Sequence, residues 1–238
     1  MKNILFTLAL LISFISFGQT AEEYYKMGVA KYQSADNKGA IEEYTKSIEL
    51  DPEYIKAYFD RGLSKYNLGD YTGAIADFTQ TIELNPQAAG AFYQRGAAKI
   101  GLEDYKGTIA DFTKAIEINP NYSTDPNFYN SRGIAKSNLG DDKGAIADYT
   151  KSIELDPENA GPPLSNRGQT KYYLGDYTGA ISDLTKSIEI IPNNGWAYYT
   201  RGLSKQKIED LNSACTDWEK AAELGETIAA EMVTNNCN

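Results

Sequence analysis

The chain has 238 residues, of which 42% are apolar and 24% charged, and it has a formal net charge of -10 and no histidine. With 23 basic against 33 acidic residues, it has no electrostatic reason to follow a phosphate backbone, so no nucleic-acid partner is expected. The absence of histidine removes the usual general base and the usual zinc ligand, which excludes most hydrolase chemistry. We therefore expect no enzyme activity, no cofactor and no metal site.

The N-terminal residues 1–18 are typical of an export signal. Lys2 gives a short basic start, an apolar run follows over 4–17, and Ser16 and Gly18 place small residues before a cleavage site. Because the run is shorter than the roughly 20 residues that span a membrane, an uncleaved anchor is the less favoured alternative. The sequence predicts an exported protein, periplasmic or secreted, with no stable membrane insertion after cleavage. The short charged start is typical of bacterial signals.

One motif recurs along the rest of the chain, from TGAIADFTQTIELNP at 72–86 to TGAISDLTKSIEIIP at 178–192. Small insertions at 123–125 and at Ala160 lengthen two of the intervals between its prolines. Those intervals are 34, 34, 37 and 35 residues, counted over Pro52, Pro86, Pro120, Pro157 and Pro192. The sequence therefore contains a repeat of 34 residues.

Each repeat is predicted to be a helical hairpin, with a helix A followed by a helix B. In residues 55–88, apolar and small residues recur at three- and four-residue steps in both halves, which is typical of two amphipathic helices. Gly69 can adopt the left-handed conformation that ends helix A, and Pro86 forces Asn85 out of the helical region at the end of helix B. A single hairpin cannot bury its apolar face, so we expect the hairpins to stack into an elongated solenoid.

The repeat resembles the tetratricopeptide repeat, and the resemblance covers Ala21 to Leu224. In residues 55–88, the family's preferred residues at positions 4, 8, 15, 20, 24 and 32 are matched by Tyr58, Gly62, Gly69, Ala74, Phe78 and Pro86. The resemblance implies an all-α, right-handed alpha-solenoid of six helical hairpins plus a C-terminal capping helix. The predicted segments are the signal peptide 1–18, the repeats 21–54, 55–88, 89–122, 126–159, 161–194 and 195–224, and the capping helix 225–238.

The resemblance also implies a function, since proteins of this family bind partners in the concave groove lined by their A helices. The lysine and asparagine residues of the family's carboxylate clamp are missing from this sequence. Aromatic and apolar residues stand at groove positions instead, at Tyr25, Phe59, Leu63, Tyr66, Tyr93, Tyr172 and Tyr199. Rigid aromatic side chains carry much of the energy of interfaces, so the predicted ligand is a neutral or apolar segment of a protein or peptide partner.

Two alternatives for these aromatic residues remain open. They could bind glycan or cell-wall material, which would require exposed rings spaced one repeat apart. They could also pack against adjacent helices or a neighbouring molecule. We expect Phe59, Tyr93 and Tyr199 to be the most exposed of the group.

Charged residues recur at two positions of the repeat, counted from its first residue. Position 7 is arginine and position 23 is aspartate in every repeat except the first, which has Met27 and Glu43. An unpaired buried charge is costly, so each arginine needs an acidic partner. We predict a ladder of pairs with the preceding repeat, because the first repeat has neither a predecessor nor an arginine; pairing within a repeat and solvated faces are the alternatives. The ladder residues are Arg61, Asp77, Arg95, Asp111, Arg132, Asp148, Arg167, Asp183 and Arg201, with Asp217 in the last repeat.

The C-terminal residues are predicted to form a capping helix over 226–236, where apolar side chains recur at helical spacing. Cys215 and Cys237 lie on either side of a turn at Gly225, so an antiparallel hairpin brings the two sulfurs to similar heights. An exported protein meets an oxidising compartment, and we therefore predict a Cys215–Cys237 disulfide. A metal or redox site is the less favoured alternative, since neither a CxxC motif nor a histidine accompanies the two cysteines.

Overall fold

The computed structural model describes residues 19–237, so the predicted signal peptide at 1–18 lies outside the described residues. Within that range the chain is all-helical, with one short 3-10 helix at Pro120–Thr124. The α-helices are α1 Ala21–Gln33, α2 Asn37–Leu50, α3 Ile55–Asn67, α4 Tyr71–Leu84, α5 Ala89–Ile100, α6 Tyr105–Ile118, α7 Pro126–Asn138, α8 Asp142–Leu155, α9 Gly161–Tyr173, α10 Tyr177–Ile190, α11 Gly195–Lys207, α12 Leu211–Glu223 and α13 Thr227–Asn236.

The helices α1 to α12 form six consecutive hairpins, in which each odd-numbered helix A packs against the following helix B. Each helix B also packs against the next helix A, and each helix A touches the helix A of the following hairpin. These contacts build an alpha-solenoid with its A helices on the inner, concave side. In the described part of the chain, no helix combines the length and the apolar character needed to cross a bilayer.

The turn between helix A and helix B is the same in every hairpin. An aspartate begins each helix B, and in α4 the Asp70 carboxylate accepts a hydrogen bond from the Gly73 amide at 2.9 Å. The residue before that aspartate has a positive φ, as expected for Gly69 with its φ of 79°. Glycine is absent from this place in three of the turns, where Ala35, Glu103 and Glu209 adopt the same left-handed conformation.

The glycine at position 8 of each repeat lets helix B approach helix A. At Gly62, a Cβ atom would lie 2.8 Å from the ring of Phe78, and at Gly133 it would lie 2.6 Å from the ring of Tyr149. Both rings are buried and form part of the core between the two helices. A larger side chain at position 8 would therefore force the hairpin open.

The last helix, α13, covers the apolar face of the sixth hairpin. It packs against α12, where Trp218 and Ala221 are fully buried together with Ala229 of α13. A disulfide joins Cys215 of α12 to Cys237 just beyond the end of α13. The bond closes the C-terminal hairpin and confirms the pairing predicted from the sequence.

Candidate functional site

A row of buried ion pairs runs along the joint between helix A and helix B. In the second repeat, Arg61 Nη2 lies 2.7 Å from Asp77 Oδ1, and Lys65 Nζ lies 2.8 Å from Asp77 Oδ2. The Asp77 side chain is only 5% exposed. The same arrangement recurs in the next four repeats, in Arg95–Asp111–Lys99, Arg132–Asp148–Lys136, Arg167–Asp183–Lys171 and Arg201–Asp217–Lys205. We call these five triads the seam.

The prediction of pairing between repeats is therefore wrong, and the within-repeat alternative holds. Position 7 of helix A and position 23 of helix B face each other across one hairpin, so both oxygens of the carboxylate lie within reach of the arginine of the same repeat. Glu43 of the first repeat pairs with two lysines rather than with Arg61. The Lys31 and Lys46 ammonium groups lie 3.4 and 3.2 Å from its carboxylate. The absence of an arginine at Met27 thus follows from this substitute pairing rather than from the lack of a preceding repeat.

Four of the five seam arginines also connect neighbouring repeats through a neutral hydroxyl. Arg61 Nη1 donates to the Thr45 hydroxyl of the preceding repeat at 3.1 Å, and the arginines of the third, fifth and sixth repeats make the equivalent bond. Among the described residues, Arg132 makes no such bond to Thr113, the equivalent threonine of the preceding repeat. The insertion at 123–125 lies at this junction, between the two described repeats that lack the link.

The concave face of the central repeats carries little charge, because the charged side chains of its helices are paired in the seam. In α5, α7 and α9 the only charged side chains are the arginine and the lysine of the seam. Every other residue that these helices present to the groove is apolar, aromatic, amide or hydroxyl in character. A chain with a net charge of -10 therefore has a largely neutral inner surface over its middle repeats.

The aromatic residues at position 5 are half-buried, as are the other residues of the predicted group, so their greater exposure within that group stays a prediction. Phe59 packs on Phe78 with ring centroids 5.7 Å apart, and Tyr93 lies between Phe112 and Tyr122 at 5.4 and 5.1 Å. The packing alternative thus accounts for part of each ring, and for both faces of the Tyr93 ring. Each of these residues nevertheless retains partial solvent exposure.

The other selected residues are spread along the array. Leu63 and Tyr66 are partly buried against the core of the second hairpin, whereas Tyr172 contacts Tyr177. Tyr199 is half-buried and packs beside Trp196, with ring centroids 5.2 Å apart. Two rings that the sequence did not favour are more exposed than these, with 70% exposure at Tyr173 and 37% at Trp196.

A cavity of about 230 Å³ lies on the concave side between α3 and α5, beside α1. Tyr25 and Phe59 are the predicted residues that it brings together. Asp60 and Gly90 also line it, although neither was singled out from the sequence. A Cβ atom at Gly90 would lie no closer than 3.4 Å to a neighbouring side chain, so the absent side chain leaves this space open. We call this cavity the aromatic pocket.

Asp60 is the acidic residue at the aromatic pocket. Its Oδ2 atom accepts a hydrogen bond from the Tyr25 hydroxyl at 2.8 Å. Burial raises the pKa of the Asp60 carboxyl above its usual range, although the Tyr25 hydroxyl and the positive charge of Lys56 act in the opposite direction. Burial and the adjacent carboxylate also raise the pKa of Tyr25, so its hydroxyl stays protonated and acts as the donor.

A second cavity, of about 410 Å³, lies between α7 and α9 and has a different lining. Its walls include Asn138, Asn166, Gln169 and the exposed ring of Tyr173. The Asn166 amide also donates to Asn130 Oδ1 at 2.9 Å, which fixes its orientation. We call this cavity the amide pocket, because its amide side chains can both donate and accept hydrogen bonds without carrying charge, although Asp142 also lines it.

The sequence matches known repeat families over most of its length. A family model described as TPR repeat matches residues 28–69, and models described as Tetratricopeptide repeat match residues 55–88, 89–122, 126–159 and 163–194. No curated protein matches the sequence at a significant level.

Solved structures with similar folds cover most of the chain. A chain of the APC/C hetero-tetramer Cut9-Hcn1 gives a TM-score of 0.75 at 17% identity, over 92% of this chain and 43% of that chain. This protein therefore spans less than half the length of that neighbour. YrrB, described as a TPR protein with an unusual peptide-binding site, gives a TM-score of 0.63 at 21% identity, over 80% of this chain and 97% of its own. A tetratricopeptide repeat protein from Parabacteroides merdae gives 0.66 at 20% identity, over 92% and 84%.

Proposed function

The chain belongs to the tetratricopeptide repeat family, whose fold generally mediates protein–protein interaction, and from this premise we propose that it is a non-catalytic scaffold. Its ligand is an extended peptide segment of a protein partner, bound in the concave groove. The aromatic pocket is the observation that carries this proposal, because it offers an open apolar cavity on the inner surface. Concave, mostly apolar cavities with a few polar groups are the usual form of binding sites.

The two pockets suit different parts of a peptide. The aromatic pocket is smaller than the roughly 300–1,000 Å³ that hold drug-sized ligands, so it suits a single side chain. The amide pocket presents donors and acceptors from Asn138, Asn166 and Gln169, which can pair with main-chain amide and carbonyl groups of an extended segment. A peptide that passes from α5 to α9 would meet both pockets.

The proposal is tested by blocking the aromatic pocket without disturbing the core. We predict that peptides selected from a random phage-displayed library on the protein lose affinity for Gly90→Met by about tenfold or more, because the new side chain fills the pocket. The substitution is compatible with the fold, since Gly90 lies in the first turn of α5 with space around it. Calorimetric titration of one synthetic selected peptide gives the affinity.

Ala76→Met is the matched control, because Ala76 is exposed on α4 and receives the same side chain away from the pocket. This variant should bind the peptide as the unmodified protein does, and both variants should unfold at similar temperatures. Failure to select any peptide, or selected peptides that bind Gly90→Met with full affinity, would contradict the proposal.

Glycan binding is a second candidate, and the amide pocket is the observation that favours it. An exposed ring at Tyr173 beside amide side chains suits a sugar ring and its hydroxyl groups. The position 5 aromatics are less suited to this role, since they are only partly exposed. Titration with soluble cell-wall oligosaccharides separates the two candidates. Binding that Tyr173→Ala weakens would favour a glycan ligand, whereas no binding would leave the peptide as the ligand.

We also propose that the protein is exported to the periplasm or secreted. The apolar run at 4–17 and the small residues before the cleavage site support this location. Expression in a bacterial host, followed by mass spectrometry of the protein recovered outside the cytoplasm, should give a mature chain that begins at Gln19. A chain that keeps Met1 and stays in the cytoplasm would contradict it.

A further inference from the structure

Asp60 is a half-buried carboxylate that differs from the buried seam aspartates in having no ion-pair partner among the described residues. Each seam aspartate lies within 2.8 Å of both an arginine and a lysine, as Asp77 does with Arg61 and Lys65. Within the described residues, no lysine or arginine nitrogen lies within 4.0 Å of the Asp60 carboxylate. Its one side-chain hydrogen bond comes from the neutral Tyr25 hydroxyl. Taking a carboxylate partly out of water costs free energy, and the Tyr25 hydroxyl and the nearby charge of Lys56 offset only part of that cost.

We propose that Asp60 and the aromatic pocket form a subsite for a cationic side chain, lysine or arginine, of the bound peptide. This inference rests on the proposed function and specifies which residue the groove recognises. The ligand's ammonium or guanidinium group pairs with the free oxygen of the Asp60 carboxylate. Its aliphatic stem lies along the Phe59 ring and over Gly90.

The lining of the pocket suits the two parts of such a side chain. Phe59, Ile55, Ala88 and Ala91 provide apolar walls for methylene groups, and Gly90 leaves the floor open. Lysine and arginine commonly bury their stems while their charged heads remain with polar partners. The Tyr25 and Phe59 rings add a further favourable term, because aromatic faces attract cations.

Lys56 lies at the rim of the same pocket and is the one other charged residue in its lining. It stands one helical turn before Asp60 on α3, but it is exposed and forms no ion pair with it. Its charge would oppose the approach of a cationic ligand. We therefore expect Lys56→Gln to bind the cationic peptide more tightly than the unmodified protein does.

The experiment uses a peptide from the phage selection and a second peptide in which norleucine replaces its basic residue. On the unmodified protein, this replacement should weaken binding by about tenfold or more, as expected for the loss of a hydrogen-bonded charge pair. On Asp60→Asn it should change binding by less than about twofold, since asparagine keeps the shape and the bond from Tyr25 but not the charge. Glu83→Gln, which removes an equal charge from an exposed position on α4, should behave as the unmodified protein.

The outcomes separate this inference from the proposed function. If peptides are selected but carry no preferred lysine or arginine and bind Asp60→Asn equally well, the cation subsite is wrong and the groove function stands. If the library yields no binder at all, both fail. Equal effects of norleucine on the unmodified protein and on Asp60→Asn would also overturn the inference, because the pocket would then recognise only the apolar stem.

Discussion

Asp60 and Arg61 are neighbours in the sequence, yet they belong to regions with opposite properties. Arg61 belongs to the seam, where the same triad recurs in five repeats and every carboxylate has two cationic partners. Asp60 belongs to the concave groove, where its equivalents in the other repeats are Lys26, Gln94, Ser131, Asn166 and Thr200. The comparison indicates that repeated residues hold the hairpins together, whereas the residues that vary between repeats are available to a ligand.

The largest effect is expected from breaking one seam triad. Arg132→Leu would leave the buried Asp148 with Lys136 alone, and we expect the free energy of unfolding to fall by about 3–5 kcal/mol. Urea denaturation followed by circular dichroism measures this change. Lys26→Leu is the control, because it breaks an exposed pair with Glu22 and should cost less than about 1 kcal/mol. Equal stability of the two variants would show that the seam is not what holds the hairpins.

The C-terminal disulfide is expected to have the next largest effect, confined to one end of the array. Replacing Cys215 and Cys237 by serine opens a loop of 22 residues, for which chain entropy gives a nominal loss of about 3 kcal/mol. Hydrogen exchange should report faster exchange in α13 and little change in the first hairpins. Two thiols that alkylate in the unreduced protein would contradict the pairing itself.

A smaller effect is expected at the turn of the third repeat. Glu103 adopts a φ of 59°, in the region where Gly69 and Gly140 stand in other repeats. Glu103→Gly should therefore raise the free energy of unfolding by about 1 kcal/mol, since the left-handed conformation carries a steric penalty for residues with a Cβ atom. Gly69→Ala should lower it by a similar amount. If both variants lose stability, the turn conformation is not what limits this position.

Much of the fold could be predicted because the same helix-ending residues recur in successive repeats. The proline after Asn85 and the glycine at 69 mark the ends of the second hairpin's helices, and the structure ends them at Leu84 and Asn67. The partner of Arg61 could not be fixed in this way, because Glu43 and Asp77 stand at the same position of successive repeats. The packing of helix A against its own helix B decides between them, and the periodicity of the sequence does not encode that distance.

The candidate site was harder to predict than the fold. Tyr25 and Phe59 were found because aromatic residues recur at position 5. No other repeat has an acidic residue at the position of Asp60, so this residue gives no periodic signal. Its partial burial and its lack of an ion-pair partner are visible only in three dimensions. Gly90 was missed for a related reason. The space beside a glycine can be recognised as a cavity only when the positions of the surrounding residues are known.

Asp183 of the seam and Asp60 of the groove should affect the pH dependence of stability with opposite signs. Burial raises the pKa of Asp183, but the hydrogen bonds from Arg167 and Lys171 outweigh this effect and leave the pKa below its usual range. Its stabilisation is therefore present above the unfolded-state pKa of about 3.9 and is lost as the pH falls through the folded-state value. The raised pKa of Asp60 means that its ionised form opposes folding above the folded-state pKa, a penalty that disappears as the pH falls.

The most direct test of this division is the free energy of unfolding at pH 7 of Asp60→Asn beside Asp183→Asn, measured by urea denaturation. We predict that Asp183→Asn is less stable than the unmodified protein, because two seam cations lose their charged partner. Asp60→Asn should be at least as stable as the unmodified protein, because the unpaired carboxylate stabilises a ligand complex and not the fold. A loss of stability of similar size in both variants would contradict the account, since Asp60 would then hold the structure as the seam does.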